Sequence, residues 1–342
     1  MEKIDSTIKD LVTNGVIPGM TYSIINNGEI DYGCEGYKSL IPLKENVTID
    51  TIYDIASLTK VIVTVTLISK MIDKGLISLS DKANKYNKDI KYDDITIYHL
   101  LTHTSGLPAD IDSKEIMSPQ EIKKLIYSLD KKYETGKQFL YSDIGYIMLG
   151  DIISNIYNKP LDIIANEEIF IPLNMTDTSY NPLQIDRCAP TELTKDRGLV
   201  KGNVHDEKAY SLNGVAGHAG VFSTAKDLSN FAQMVLNNGI YNNARFLSSN
   251  LIDEWFKPLV LDDDEYRSYS YIYGSNSLVI KEGENIISFN GFTGPSISID
   301  RDNNIGIVLM TNRVHPTRDN RQISKARANI SHEVYKKLVM KR

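Results

Sequence analysis

Strand-like runs stand at both ends of the 342-residue chain, and helical periodicity fills the middle. Residues 20–26 (MTYSIIN) and 30–37 (IDYGCEGY) are rich in β-branched and aromatic residues and flank the turn signal Asn27-Gly28, which predicts a β-hairpin. Residues 270–281, 285–290, 295–300 and 305–311 are short β-rich runs near the other end. The simplest packing joins the two groups in one antiparallel sheet. A helix predicted over 3–14, with Ile4, Ile8, Leu11 and Val12 at helical spacing, and a terminal helix over 322–340 would cover one face. The helical middle would cover the other face and form a second lobe, with a ligand cleft between lobe and sheet.

The expected class is therefore α+β. One domain spans 1–342, with a sheet lobe at about 1–60 and 240–342 and a mainly helical lobe at about 61–239. Helices are predicted at 57–75, 82–87, 96–103, 119–128, 143–157, 160–168 and 225–238. The stretch 171–222 has little periodicity and reads as long loops, which in a compact protein are usually functional. The acidic run Asp262–Glu265 reads as a solvated turn, and Trp255 with Phe256 as core or lobe interface.

Net charge is −6 with both signs interspersed, which argues against nucleic acid as a partner. Cys34 and Cys188 form no CxxC and read as free thiols. The charged N-terminus has no apolar signal core, and no run reaches the roughly 18 apolar residues of a membrane helix, so a cytoplasmic location is expected.

Chemistry concentrates in Asp54-Ile-Ala-Ser-Leu-Thr-Lys60, which leads into the apolar run VIVTVTLISK. Three residues apart at a helix start, Ser57 and Lys60 share a face. The unpaired amides and dipole of that helix start favour negative charge on the serine. A serine hydroxyl needs a neighbouring base, and a lysine whose pKa is lowered by burial can be one. The bland alternative is an N-cap serine beside a snorkelling lysine.

Two further stretches favour the chemical reading: FLYSDIGY at 139–146 and FNGFTG at 289–294. With them the chain resembles the serine β-lactamase and penicillin-binding-protein-like family, in its class C-like branch that includes esterases and D-peptidases. That family carries SxxK, Tyr-x-Asn and Lys/His-Thr-Gly in order. The corresponding positions here are Ser57–Lys60, Tyr141–Asp143 and Phe289–Asn290–Gly291. The resemblance extends to YHLLTHTSGLP (98–108), GVAGHAGVFSTAKDLSNFAQM (214–234) and TNRVHP (311–316). It implies a β-lactamase/transpeptidase-like fold and a serine hydrolase acting through an acyl-enzyme on Ser57. Lys60 and Tyr141 would share the proton traffic, and the backbone N–H groups of Ser57 and Phe292 would hold the oxyanion. Small esters, amides or peptides are the expected acyl substrates, without metal or organic cofactor; oligomeric state is left open. The alternative is a penicillin-binding sensor that acylates without turnover.

Three positions depart from the family pattern. Asp143 replaces an asparagine and, when ionised, only accepts hydrogen bonds; it could hold Lys60 or a substrate ammonium. Phe289 replaces the cation that binds a substrate carboxylate in the family, and Asn290 replaces threonine. The loss of the cation shifts the expectation toward substrates lacking that carboxylate, with Arg313 or Arg318 as candidate substitutes. His99 and His103 form H-x3-H without the glutamate of a zinc protease. His205-Asp206-Glu207 with His218 matches no standard metal spacing and reads as a loop-ordering cluster.

Overall fold

The computed structural model describes residues 2–111, 115–263, 265–274 and 285–339. Among them, nine strands form one antiparallel sheet in the order Val260–Asp262, Glu265–Ser268, Tyr271–Tyr273, Ile286–Asn290, Ser296–Asp300, Ile305–Met310, Gly19–Asn26, Glu29–Ser39, Glu45–Asn46. The two ends of the chain meet where Gly19–Asn26 pairs with Ile305–Met310, Thr21 opposite Met310 and Asn26 opposite Ile305. Asn27 and Gly28 both take positive φ, the geometry a two-residue hairpin needs.

Strand alternation divides the core. Ile305, Ile307 and Leu309, with Met20, Tyr22 and Ile24, face the helices Glu2–Thr13 and Ile323–Leu338, whose Ile4, Ile8, Ile323, Ile330 and Val334 complete that layer. Val308, Met310, Ile297 and Phe289 face the opposite way, into the larger core shared with the helical region. The helix Ala225–Leu236 lies on this second face and buries Leu228, Phe231 and Val235.

Local signals account for the helices nearest the cleft. Pro119–Ser128 starts at a capping box, Ser118 with Glu121, and has proline in its first turn. Asp143–Tyr157 starts at the Ser142 cap and ends at left-handed Asn158. The helix expected over 57–75 differs in winding. It is a π-helix over Lys60–Val65 and α-helical over Thr66–Asp73, and Thr66 Oγ1 donates to the Val61 carbonyl in the widened turn (3.0 Å).

The stretch 171–222 is mostly loop, as expected, but has short elements of its own. Ser179–Tyr180 and Tyr53–Asp54 flank Val221–Ser223 in a small sheet, and Glu207–Ser211 forms a short helix. The helix Ser249–Trp255 and the edge strands 260–262 and 265–268 were not expected. Of the acidic run, Asp262 ends one of those strands and Glu265 begins the other, and Arg267 binds Asp262 (2.9 Å) and Glu265 (3.4 Å), so these two carboxylates are held rather than simply solvated; position 264 lies outside the described residues. Trp255 is fully buried, stacked on Phe231, with its indole N–H donated to Ser69 Oγ (3.0 Å). Of the run expected at 270–281, the strand Tyr271–Tyr273 is present, and positions 275–281 lie outside the described residues. Cys34 and Cys188 are free. Among the described residues no helix is long and apolar enough to cross a membrane.

Candidate active site

Ser57 stands in the turn between the short strand Tyr53–Asp54 and the helical residues that begin at Leu58. Ala56, just before it, is forced into the left-handed region at φ +46°, a strained conformation for a residue with a Cβ. Asp54 holds that turn. Its buried carboxylate accepts the Ala56 N–H (2.8 Å) and the His205 N–H (2.7 Å), and its carbonyl accepts the Thr293 hydroxyl (2.7 Å). Burial raises the Asp54 carboxyl above its ordinary value. Gly291 packs against the same turn. A Cβ there would lie 2.4 Å from the Ile55 carbonyl oxygen, so only glycine lets this strand end reach Ser57. Among the described residues, the Ser57 and Phe292 amides have no hydrogen-bond acceptor in the protein.

Lys60 is fully buried, and its Nζ donates to Ser57 Oγ at 2.9 Å and to the His218 carbonyl at 3.3 Å. Gly217, next to His218, packs the segment onto the helix Asp143–Tyr157, since a Cβ there would meet the Tyr146 carbonyl oxygen at 2.2 Å. The sequence reading expected burial to lower the lysine's pKa. Burial does pull in that direction, but the Asp143 carboxylate at 2.7 Å and the Tyr141 phenol outweigh it, and the net shift is upward. Burial alone would raise the Asp143 carboxyl, but Lys60, His218 and Lys208 hold it down to about 2. Lys60 is thus held as an ammonium, paired with a carboxylate where the family pattern has a neutral amide.

A second ammonium balances the cluster. Lys208, also buried, lies 3.3 Å from Asp143 Oδ2, 2.9 Å from Asp110 and 3.2 Å from Asp206. These carboxylates outweigh the effect of its burial and raise its pKa. Asp206 in turn pairs with His218 Nε2 at 2.8 Å. Asp143, Asp206 and His218 lie close enough together for a cation, but two ammonium groups already neutralise their carboxylates. Lys208 was not singled out in the sequence, although it directly follows the His205-Asp206-Glu207 cluster. Asp54 did have one, an acid three residues ahead of the serine.

Tyr141 lies beside this network, its ring centroid 4.8 Å from Lys60 Nζ and 6.4 Å from the Phe289 ring. Phe289 is buried against Tyr141 and Tyr271. Asn290, Gly291 and Phe292 continue along the edge of a cleft of about 960 Å³ that also contains Ser57, Tyr141, Asp143 and Lys208. The Phe292 ring is exposed, stacked on His205 (5.6 Å) and beneath the Arg313 guanidinium (4.3 Å).

The two arginines singled out in the sequence differ. Arg318 is bound to Glu192 (2.6 Å) and Glu207 (2.8 Å), so it is no free substitute for the missing cation. Arg313 donates only to carbonyls, those of Phe292 (2.7 Å), Arg318 (3.2 Å) and Asn320 (2.5 Å). Arg327, buried in the terminal helix, binds the carbonyls of Gly291, Gly294 and Pro295, and burial with Arg313 pushes its pKa down to about 9. Arg321 lines the same wall. Among the described residues none of Arg313, Arg321 and Arg327 is ion-paired with a carboxylate.

Three other histidines have separate partners. His99 caps its helix through Thr96, His103 faces Tyr141, and His205 pairs with Glu192 (2.9 Å). The H-x3-H pair therefore does not converge on one point.

Comparison with known proteins agrees with this architecture. A protein of Bacillus subtilis (strain 168) named N-acetylmuramyl-L-alanine amidase is 30% identical over 92% of this chain and 81% of its own. A protein of Escherichia coli O157:H7 with the provisional name D-alanyl-D-alanine carboxypeptidase is 30% identical over 92% and 82%. The solved structure of a class C β-lactamase superposes with a TM-score of 0.79 at 18% identity, covering 97% of this chain and 96% of the other, which speaks to the fold. The family model described as Beta-lactamase matches residues 4–331, and the chain belongs to this β-lactamase-fold family of serine hydrolases.

Proposed function

We propose that the chain transfers the acyl group of a small amide, peptide or ester to Ser57 and then to water. The observation that carries this reading is the buried Lys60 ammonium, which donates to Ser57 Oγ at 2.9 Å while Asp143 holds it at 2.7 Å. A fully buried ammonium is costly to maintain, and here, paired with a partly buried carboxylate, it is aimed at a hydroxyl on the cleft wall. Held as an ammonium, Lys60 has no lone pair with which to take the serine proton. That role falls to Tyr141, while Lys60 orients Oγ and offsets the developing charge. Oγ attacks the acyl carbon, and the Tyr141 phenol relays the proton, taking the one from Oγ as it gives its own to the leaving group, so that it is neutral before and after. Water then attacks the ester, and Ser57 Oγ recovers its proton. The free amides of Ser57 and Phe292 would donate to the oxyanion in both halves.

The cleft supports a substrate that carries a carboxylate. Phe289 cannot bind one, but Arg313, Arg321 and Arg327, none of them ion-paired with a carboxylate among the described residues, line the same cleft. The names of the amidase and carboxypeptidase relatives fit amide chemistry on small peptides. The test is a matched pair of D-alanyl peptides, one ending in a free carboxylate and one in a carboxamide, assayed on wild type and Arg321→Ala. The acid is expected to be the better substrate of the wild type, and Arg321→Ala to lower kcat/KM for it about tenfold while leaving the amide nearly unchanged, in line with one lost charge-assisted bond. Equal turnover of the pair, with no differential effect of Arg321→Ala, would refute the carboxylate assignment.

A further inference from the structure

His103 carries more than its place in a structural segment requires. It follows the helix Ile97–Leu101 and is 1% exposed. Its backbone takes φ +57°, uncommon for a residue with a Cβ. From there it contacts the chain on both sides of Tyr141. Its carbonyl accepts the Leu140 N–H at 2.9 Å, and its Nδ1 accepts the Ser142 N–H at 3.0 Å. Its ring lies 4.6 Å from the Tyr141 ring at a 35° tilt and 4.9 Å from Tyr146 at 30°, while Phe139 meets it edge-on at 5.6 Å.

We propose that His103 is the positioning residue of Tyr141, fixing the backbone on either side of it and supporting its ring against Lys60. This inference rests on the reading of Tyr141 as the proton carrier. The tautomer follows from the contacts. Because Nδ1 accepts an amide hydrogen, the ring proton is on Nε2 and is donated to Ser270 Oγ at 2.7 Å. Burial, then Lys60, with Arg267 adding to them and Asp143 opposing, keeps the imidazole neutral by lowering its pKa far below the ordinary value. A neutral ring in this tautomer is what the Ser142 amide needs. An imidazolium would present a second donor to that amide and release it.

The same ring links three parts of the chain: its own turn, the segment that enters the helix Asp143–Tyr157, and, at Ser270, the turn between the strands Glu265–Ser268 and Tyr271–Tyr273. Tyr141 therefore has an anchored backbone and a tilted ring against its own, with Lys60 Nζ 4.8 Å from its ring centroid. A shift of about an ångström at such a group can cost about 10²-fold in rate.

The experiment compares His103→Asn, His103→Gln and Tyr141→Phe with wild type, reading kcat and KM separately and the melting temperature of each. Asparagine tolerates the left-handed backbone and places its amide oxygen where Nδ1 was. Glutamine places its polar end near Nε2 and leaves the Ser142 amide without an acceptor. The expected result is a kcat about 10²-fold lower for His103→Gln with KM nearly unchanged, and recovery to within about fivefold of wild type in His103→Asn. Tyr141→Phe should lose activity outright. The proposal is overturned if the two His103 variants have equal kcat, or if the loss lies in KM. If Tyr141→Phe turns over like wild type, the reading of Tyr141 itself fails. If Tyr141→Phe is inactive while His103→Gln equals wild type, only the positioning role fails.

Discussion

Asp143 is the residue that most distinguishes this site. Its carboxylate touches one ammonium with each oxygen, Lys60 at 2.7 Å and Lys208 at 3.3 Å. Burial works to lower the pKa of Lys60, and Asp143 is the main reason it rises instead. Asp143→Asn should therefore let burial win. The alkaline limb of kcat/KM, which reports the free enzyme, is expected to move to lower pH as Lys60 loses its proton more easily. An unmoved limb would mean that the charge state of Lys60 does not govern the reaction. At this scale Ser57 and Lys60 drew attention by their spacing and Tyr141 through the family resemblance, and the structure brings the three side chains together. The consequence of Asp143 was only half legible. The sequence allowed that it holds Lys60, but Lys208 reaches it from a helix of only five residues, too short to show a period, and no local pattern reveals a second buried ammonium.

Elements were legible where their end signals are local. The helices Pro119–Ser128 and Asp143–Tyr157 have the boundaries that their caps imply, because a serine accepting an amide three residues on is a short-range event. The π-helical winding after Lys60 is not of that kind. It accompanies contacts made across the fold, such as Thr64 Oγ1 with the Gly217 carbonyl (2.6 Å). The short helix Ser249–Trp255 and the two edge strands after it escaped because each is too brief to show a period. The helix Ala225–Leu236 carries a pH-dependent element of its own. Asp227 in its first turn is 1% exposed, and burial pushes its carboxyl up to about 6, despite hydrogen bonds from Thr178 and the Asp177 amide. The folded state therefore binds more protons than the unfolded state between the ordinary value of 3.8 and about 6, and wild-type stability falls as pH rises through that window. Asp227→Asn lacks this penalty. Its stability relative to wild type should improve by about 2 kcal/mol between pH 4 and pH 7 in denaturant titrations. A difference that does not change with pH would contradict the assignment.

Across the whole molecule, the joining of both chain ends in one sheet was legible because only two regions of the sequence carry strand character. A hairpin at one end needs the strands of the other to complete a buried face. The closure of Gly19–Asn26 against Ile305–Met310 brings the third motif beside the nucleophile turn, with Gly291 against Ile55. The arginine wall was only partly legible. Arg313 stood out by its place after the last strand, but Arg327 reaches the cleft from the terminal helix, and its availability depends on carbonyl contacts that sequence does not display. All of this converges on one covalent event at one side chain. The most direct measurement is intact-mass and peptide mass spectrometry after exposure to a fluorophosphonate or a penicillin, on wild type and Ser57→Ala. A single adduct is expected on the peptide containing Ser57, absent from Ser57→Ala, whose hydrolysis should also vanish. An adduct on another residue, or turnover that survives in Ser57→Ala, would contradict the account.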